Sequence, residues 1–248
     1  DLPVTSVDDY VSDLVDLLDA LHVDRAVVGG LSLGGYVAFA LQRLAPRYVQ
    51  GFVLADTRPH ADSEAALAGR RALLTRLGER GPAGVADEVV PKLLGPTTRA
   101  TQPTVVADVR RWIAGNSPEG IAGAIRAMMH RPDSSGLLPK VDVPTLIVVG
   151  DEDLVTPPGV AEEMRALIPR AELAIIPHAG HLSNIEQPER FTDAVAVLEA
   201  IGSRTDLHID RLLEARTQQG VCELESGQTD KAEATLRKGL TRSEEHTS

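Results

Sequence analysis

Two hydrophobic rhythms alternate along the chain. Val11, Leu14, Val15, Leu18 and Leu21 recur at helical spacing, with Thr5 or Ser6 placed to cap the helix and Asp8 and Asp9 in its first turn. A short apolar run, Ala26–Val28, follows within a strand predicted at 25–29, then a helical pattern over 36–44, then a second run at 49–55, apolar but for Gln50, that ends at Asp56. Apolar runs of this length predict strands buried on both faces, and their alternation with helices predicts a parallel sheet. From 58 to 139 the alternation stops. Helices are predicted at 65–77, 84–94, 105–114 and 119–129, broken by Gly81-Pro82, Gly95-Pro96 and Asn116-Ser117-Pro118. Lying between two strands, they are expected to form a cap over the strand ends. The first rhythm then resumes with a strand at 144–150, a helix at 160–167 and a strand at 171–176. A helix at 186–201 follows, with Phe191, Ala194, Val195 and Leu198 on one face. The plan is a core from 1–57 and 140–203, a cap at 58–139 and a helical tail at 204–241.

One junction between strand and helix carries chemistry. Gly30-Leu31-Ser32-Leu33-Gly34 fits Gly-x-Ser-x-Gly, the nucleophile elbow, and lies between an apolar run and a helical pattern as that motif requires. Such a turn strains the backbone of its central residue, so side chains two positions away on either side would collide. Glycine at 30 and 34 is expected to relieve that collision. The turn presents Ser32 at a helix N-terminus, where amides and dipole favour negative charge. The competing reading is a glycine-rich turn with an incidental serine. A dinucleotide fingerprint would need glycine where Ser32 stands, and a P-loop would need a lysine that is absent here.

Composition narrows the partners. A hydrophobic content of 43% suits a globular chain. The net charge of −11 argues against nucleic acid or an anionic membrane as partner. No apolar run approaches the ~20 residues of a membrane span, and no signal peptide is visible. Cys222 is the only cysteine, which excludes an internal disulfide and favours a reducing, cytoplasmic setting. No His-x-x-x-His or cysteine pair points to a metal, and no motif points to a cofactor.

Four segments carry a family resemblance: Gly-Leu-Ser-Leu-Gly-Gly at 30–35, Val-Leu-Ala-Asp-Thr at 53–57, Leu-Ile-Val-Val-Gly-Asp-Glu-Asp at 146–153, and Ala-Gly-His-Leu-Ser-Asn-Ile-Glu-Gln-Pro-Glu-Arg-Phe at 179–191. Residues 1–203 resemble the C-terminal part of an α/β-hydrolase-fold enzyme, and in wording are similar to small esterases and enol-lactonase-like members. The resemblance implies an α/β architecture with a partial sheet of about four parallel strands, a helical cap and a C-terminal helical tail. It also implies that the family's earlier strands and a His-Gly-rich loop, which supplies half of the oxyanion hole, precede Asp1. One sheet edge is then expected to lie open, and the chain as it stands to be a poor enzyme and a poor monomer. Over 215–240 the tail resembles a single tetratricopeptide-type helix pair, or else is a generic amphipathic helix. The stretch 242–248, Arg-Ser-Glu-Glu-His-Thr-Ser, resembles a translated sequencing adapter and is expected to be foreign to the natural polypeptide.

In this family the chain order is serine, acid, histidine. The resemblance therefore assigns Ser32 as nucleophile, Asp153 as acid and His181 as base, with the Leu33 N–H as one oxyanion donor. The family's Gly-His-x-x-x-x-Glu spacing selects His181, with Gly180 and Glu186, over His178. Asp56 is the alternative acid, since some relatives use the end of the preceding strand, and Asp151 is expected to shape its turn. His22, His60, His130 and His208 are expected at surfaces or in loops. The implied activity is hydrolysis of a small carboxylic ester or lactone through an acyl-enzyme. The same residues also serve perhydrolase and C–C hydrolase chemistry. A different class is a non-catalytic module of this fold whose helical tail binds a protein. Serine at the elbow disfavours dehalogenases and epoxide hydrolases, which use aspartate there. The oligomeric state is left open.

Overall fold

The computed structural model describes residues 6–203. Its sheet consists of β1 (Ala26–Leu31), β2 (Val49–Ala55), β3 (Thr145–Gly150) and β4 (Ala171–Ile176), all parallel and paired in chain order. β1 and β4 are therefore the edges of the described sheet. Parallel neighbours need crossover connections, and helices supply each one. α1 (Val7–Ala20) precedes β1, and α2 (Leu33–Leu44) joins β1 to β2. α3 (Glu64–Leu93), α4 (Pro96–Thr101), α5 (Pro103–Ala114) and α6 (Pro118–His130) lie between β2 and β3. α7 (Pro158–Leu167) joins β3 to β4, and α8 (Ser183–Glu186) and α9 (Pro188–Ser203) follow.

Successive strand residues face opposite sides of the sheet, and each side has its own core. Phe52, Leu54, Ile147 and Val149 pack with Val7 and Val11 of α1, Tyr36 and Phe39 of α2, and Ala161 and Met164 of α7. Val53, Ala55, Leu146 and Val148 face the other way, against Phe191, Ala194 and Val195 of α9. This double covering explains why β2 and β3 read as apolar runs. A third cluster, Val90, Leu94 and Val109, joins α3 and α5 to Leu182 and Ile185 beside β4's trailing loop. At the base of the helical segment, buried Arg131 lies over the Tyr36 ring (4.0 Å to the centroid) and donates to Asp62 at 2.8 Å.

Local signals set most boundaries. Ser6 caps α1 in a reciprocal box: its N–H donates to Asp9 Oδ2 (2.9 Å) and its Oγ accepts from the Asp9 N–H. His22 lies exposed in the turn after α1, as expected, and closes the helix with φ 54°, its N–H bonded to Asp19 O and the Val23 N–H to Leu18 O. β1 begins at Ala26 and runs two residues beyond the predicted end, because pairing with Leu54 and Ala55 carries it into the elbow. The predicted break at Gly81-Pro82 is a kink within α3, made by Gly81 at φ 64°, ψ −169°. Gly95-Pro96 is not merely a break. Gly95 and Pro96 open α4, with proline at a first-turn position that needs no N–H. The helix predicted at 186–201 is split at Gln187, because Pro188 starts a new one. The expected tail at 204–241, its tetratricopeptide-like pair, the segment 242–248, Thr5, His208 and Cys222 lie outside the described residues.

Candidate active site

Each strand of a parallel sheet points its C-terminal end toward the same side, and reactive groups collect there. Ser32 follows β1, Asp56 follows β2, Asp153 follows β3, and His178 and His181 follow β4. Three of the four non-glycine residues with positive φ among the described residues belong to this set: Ser32 (51°), Asp56 (43°) and His178 (62°). Such conformations are uncommon for side-chain-bearing residues. Backbone strain is thus concentrated along this one edge.

Ser32 stands between β1 and α2, pinned through its backbone. Its N–H donates to Ala55 O (2.9 Å), and its carbonyl accepts from the Gly35 N–H (3.0 Å) and Thr57 Oγ1 (2.8 Å). The glycine requirement is only half as expected. A Cβ on Gly30 would lie 2.3 Å from the Gly34 carbonyl atoms, whereas a Cβ on Gly34 would meet nothing within 4 Å. The second obligatory glycine is Gly35, where a Cβ would fall 2.3 Å from Thr57 Oγ1. Collision across the turn is therefore one-sided, and β2's trailing Thr57 imposes the other constraint. Leu33 opens α2, so its N–H is among the first-turn amides that a helix leaves without an internal acceptor.

Buried His181 joins Ser32 to Asp153. Ser32 Oγ and His181 Nε2 are 2.8 Å apart, and His181 Nδ1 lies 2.8 Å from Asp153 Oδ2. A carboxylate only accepts, so Nδ1 carries the proton and Nε2 is left to accept from the serine hydroxyl. Asp153 is saturated: Oδ1 accepts from the N–H groups of Val155 (2.7 Å) and Thr156 (3.0 Å), and Oδ2 also accepts from Thr156 Oγ1 (2.6 Å). Burial alone would push its carboxyl up. The bond and charge of His181, with the Thr156 bonds, outweigh that and hold it below the ordinary value.

Asp56 is placed differently. Its Oδ1 accepts from the Gly150 N–H (2.9 Å), and its Oδ2 from the Ser183 N–H (3.3 Å) and Oγ (2.5 Å). Burial is the largest influence and pushes it up to about 7, against the pull of Ser183, Gly150 and the His181 ring. His178 does not approach Ser32's partners in hydrogen bonding; its N–H donates to Asp151 Oδ1 at 2.7 Å, so Asp151 reaches from the turn after β3 to the one after β4. His60 pairs with Glu163 at the surface (3.2 Å), and no metal-holding group of His, Cys, Asp and Glu occurs among the described residues.

Thr156 was not anticipated, although Asp153-Leu154-Val155-Thr156 has the local pattern in which an aspartate accepts from the amides just after it. Ser183 and Thr57 had no local signal, and each acts on a segment distant in sequence. Glu186 was marked by its spacing from His181, but its bond to Gly95 was not.

Fold and site together restrict the class. A serine held on a strained turn between strand and helix, within hydrogen-bond reach of a later histidine, is what α/β-hydrolase-fold enzymes have in common. The chain belongs to the alpha/beta hydrolase family, whose model matches residues 1–194. Among characterised relatives, 3-oxoadipate enol-lactonase 2 of Acinetobacter baylyi is 28% identical over 189 residues, covering 76% of this chain and 69% of that protein. Among solved structures, a malate-bound thermophilic esterase from Thermogutta terrifontis shares 39% identity at a TM-score of 0.77, covering 80% of this chain and 74% of the esterase. The enol-lactonase from Burkholderia xenovorans shares 26% identity at a TM-score of 0.71, covering 79% and 73%. No described helix is long and apolar enough to cross a membrane.

Proposed function

We propose that the protein hydrolyses a small carboxylic ester or lactone through an acyl-enzyme, with Ser32 as nucleophile, His181 as general base and Asp153 as its partner. The observation that carries this reading is the unbroken series from Ser32 Oγ through both ring nitrogens to Asp153 Oδ2, each link 2.8 Å. In the first step Ser32 Oγ attacks the carbonyl carbon as its proton passes to Nε2. The Leu33 N–H, at the positive end of α2, faces the oxyanion that forms. His181 then returns the proton to the departing alkoxide, and a water repeats the sequence to release the acid. Asp153, held ionised by its four bonds, keeps Nδ1 protonated and stabilises the imidazolium. Helices α3–α6, within 58–139, act as the cap over this site. An ester is favoured over other uses of the same residues because the thermophilic esterase shares 39% identity with this chain, against 21–30% for enol-lactonases, carbamate hydrolases and bromoperoxidases.

The test is labelling of the chain by a fluorophosphonate, followed by turnover of a short-chain nitrophenyl ester. Labelling is expected at Ser32 and lost in Ser32→Ala. Ser32→Ala and His181→Ala should each abolish nearly all turnover, and the double variant should be little worse than either single one. A Ser32→Ala protein that keeps more than about a tenth of the rate would overturn the reading, since groups acting as a unit cannot be removed so cheaply.

A further inference from the structure

Of the buried groups left unused by that chemistry, Glu186 has the most specific surroundings. It ends α8 and is buried. Its Oε1 accepts from the N–H groups of Gly180 (2.9 Å) and Leu182 (3.2 Å), the residues on either side of His181. Its Oε2 accepts from the Gly95 N–H (2.8 Å), where α3 hands over to α4. The His181 N–H itself donates to Leu93 O (2.8 Å), and Gln102 Nε2 donates to the Glu186 carbonyl (3.2 Å). One side chain thus holds both flanks of the histidine and fastens them to the helical segment between β2 and β3.

The two backbones meet without side chains between them. A Cβ on Gly180 would lie 2.3 Å from Gly95 N, and a Cβ on Gly95 would lie 2.9 Å from Gly180 N and 2.4 Å from Glu152 Oε2. On the far side, a Cβ on Gly150 would strike the Ala179 and Gly180 carbonyl oxygens at 2.2 Å. Leu182 and Ile185 pack against Val90, Leu94 and Val109. The segment carrying the imidazole is therefore wedged between the end of β3 and the α3–α4 junction, and the glutamate closes the wedge.

We propose that Glu186 is a positioning residue for His181, setting the ring against Ser32 by locking its backbone onto the Leu93–Gly95 junction. This rests on the reading of His181 as general base. Three converging N–H donors need two acceptor oxygens, and buried donors left unmatched are costly. Glutamine is nearly the same size but offers one acceptor oxygen and an NH2 group. If its oxygen serves Gly180 and Leu182, its NH2 confronts the Gly95 N–H, donor against donor. Glu186→Gln therefore releases the tether to the helical segment while leaving the volume filled. A displacement of about 1 Å in a reacting group can cost on the order of 100-fold in rate.

The experiment compares the full chain and Glu186→Gln per active site, counted by end-point fluorophosphonate labelling. The expected result is a parallel fall of roughly 10- to 100-fold in kcat and in the rate of labelling, with KM for the nitrophenyl ester little changed. Glu186→Ala, with no acceptor at all, should fall further. Wild-type kcat per labelled site, with only thermal stability reduced, would overturn the proposal, as would a raised KM with unchanged kcat. If Glu186→Gln does not yield folded protein, Gly95→Ala displaces the same junction and carries the test with the same outcomes. Turnover persisting in Ser32→Ala would defeat the hydrolase reading itself. A dead Ser32→Ala beside a fully active Glu186→Gln defeats only the role given to Glu186.

Discussion

Asp153 and Asp56 follow adjacent strands, β3 and β2, and both are buried beside the same histidine loop. Their chemistry nevertheless diverges. Asp153 is held below its ordinary value, and Asp56 is pushed up to about 7. Burial pushes both up, and it prevails at Asp56 but is outweighed at Asp153. The partners differ: Asp153 faces the Nδ1 of His181 and four donors in all, whereas Asp56 faces one serine and one amide on a neighbouring strand. The carboxylate with the ring against it is the one placed to act with His181, and the one without that ring ties strand ends together. Asp56 does so literally, linking β2 through Gly150 to β3 and through Ser183 to α8.

The strongest test of this contrast is to replace each aspartate with asparagine. Asp153→Asn presents an amide to Nδ1 and favours the wrong tautomer, so kcat should fall on the order of 10⁴-fold. Asp56→Asn touches no ring nitrogen and should fall far less, on the order of 10- to 100-fold, the scale of one hydrogen bond to a charged group. Nitrophenyl ester kinetics on the two variants decide it; the reverse ranking would move the acid to β2. A milder change probes why Asp153 is held low. Thr156→Val removes the 2.6 Å hydroxyl bond to Oδ2 but keeps the shape of the side chain. A loss of about tenfold in kcat is expected, and an unchanged kcat would show that His181 and the Val155 and Thr156 amides suffice to keep the carboxylate ionised.

The smallest effect concerns stability. Asp56 has a folded value of about 7 against an ordinary 3.8, so between those limits the folded protein holds a proton that the unfolded chain has released. Its contribution is therefore favourable at low pH, shrinks as pH rises through that window, and changes no further above it. Asp153 runs the opposite way: its contribution is complete above its ordinary value and is lost as pH falls below it. Asp56→Asn cannot titrate, so its melting temperature should gain on wild type as pH rises from 4 to 7. For a domain of this size roughly 2–4 °C corresponds to each kcal/mol. A melting difference constant across that range would mean that Asp56 does not change protonation there.

Much of this molecule was open to reading from its sequence, where neighbouring residues settled the matter. The apolar run at 49–55 coincides with β2, because a strand covered on both faces admits few polar residues; the strand read at 171–176 coincides with β4, although Ile176 is its only buried residue. Ser6 and Asp9 announced the start of α1, and Gly-x-Ser-x-Gly announced the turn at Ser32. Ser32, Asp153 and His181 were named through a family's motifs and order, and the structure brings them within hydrogen-bond distance in series. The choice of Asp153 over Asp56 as the residue facing the ring was not local. It depends on β3 and β4 being neighbours, so that their trailing loops converge while β2 delivers Asp56 to Gly150 and Ser183. The same reason moved the second obligatory glycine from 34 to 35, since Thr57 meets it from another strand. It also gave Glu186 its donor at Gly95. Periodicity and capping act over a few residues of chain and are written there. Which buried donor meets which acceptor depends on segments as far apart as Gly95 and Glu186, and only tertiary packing sets that distance.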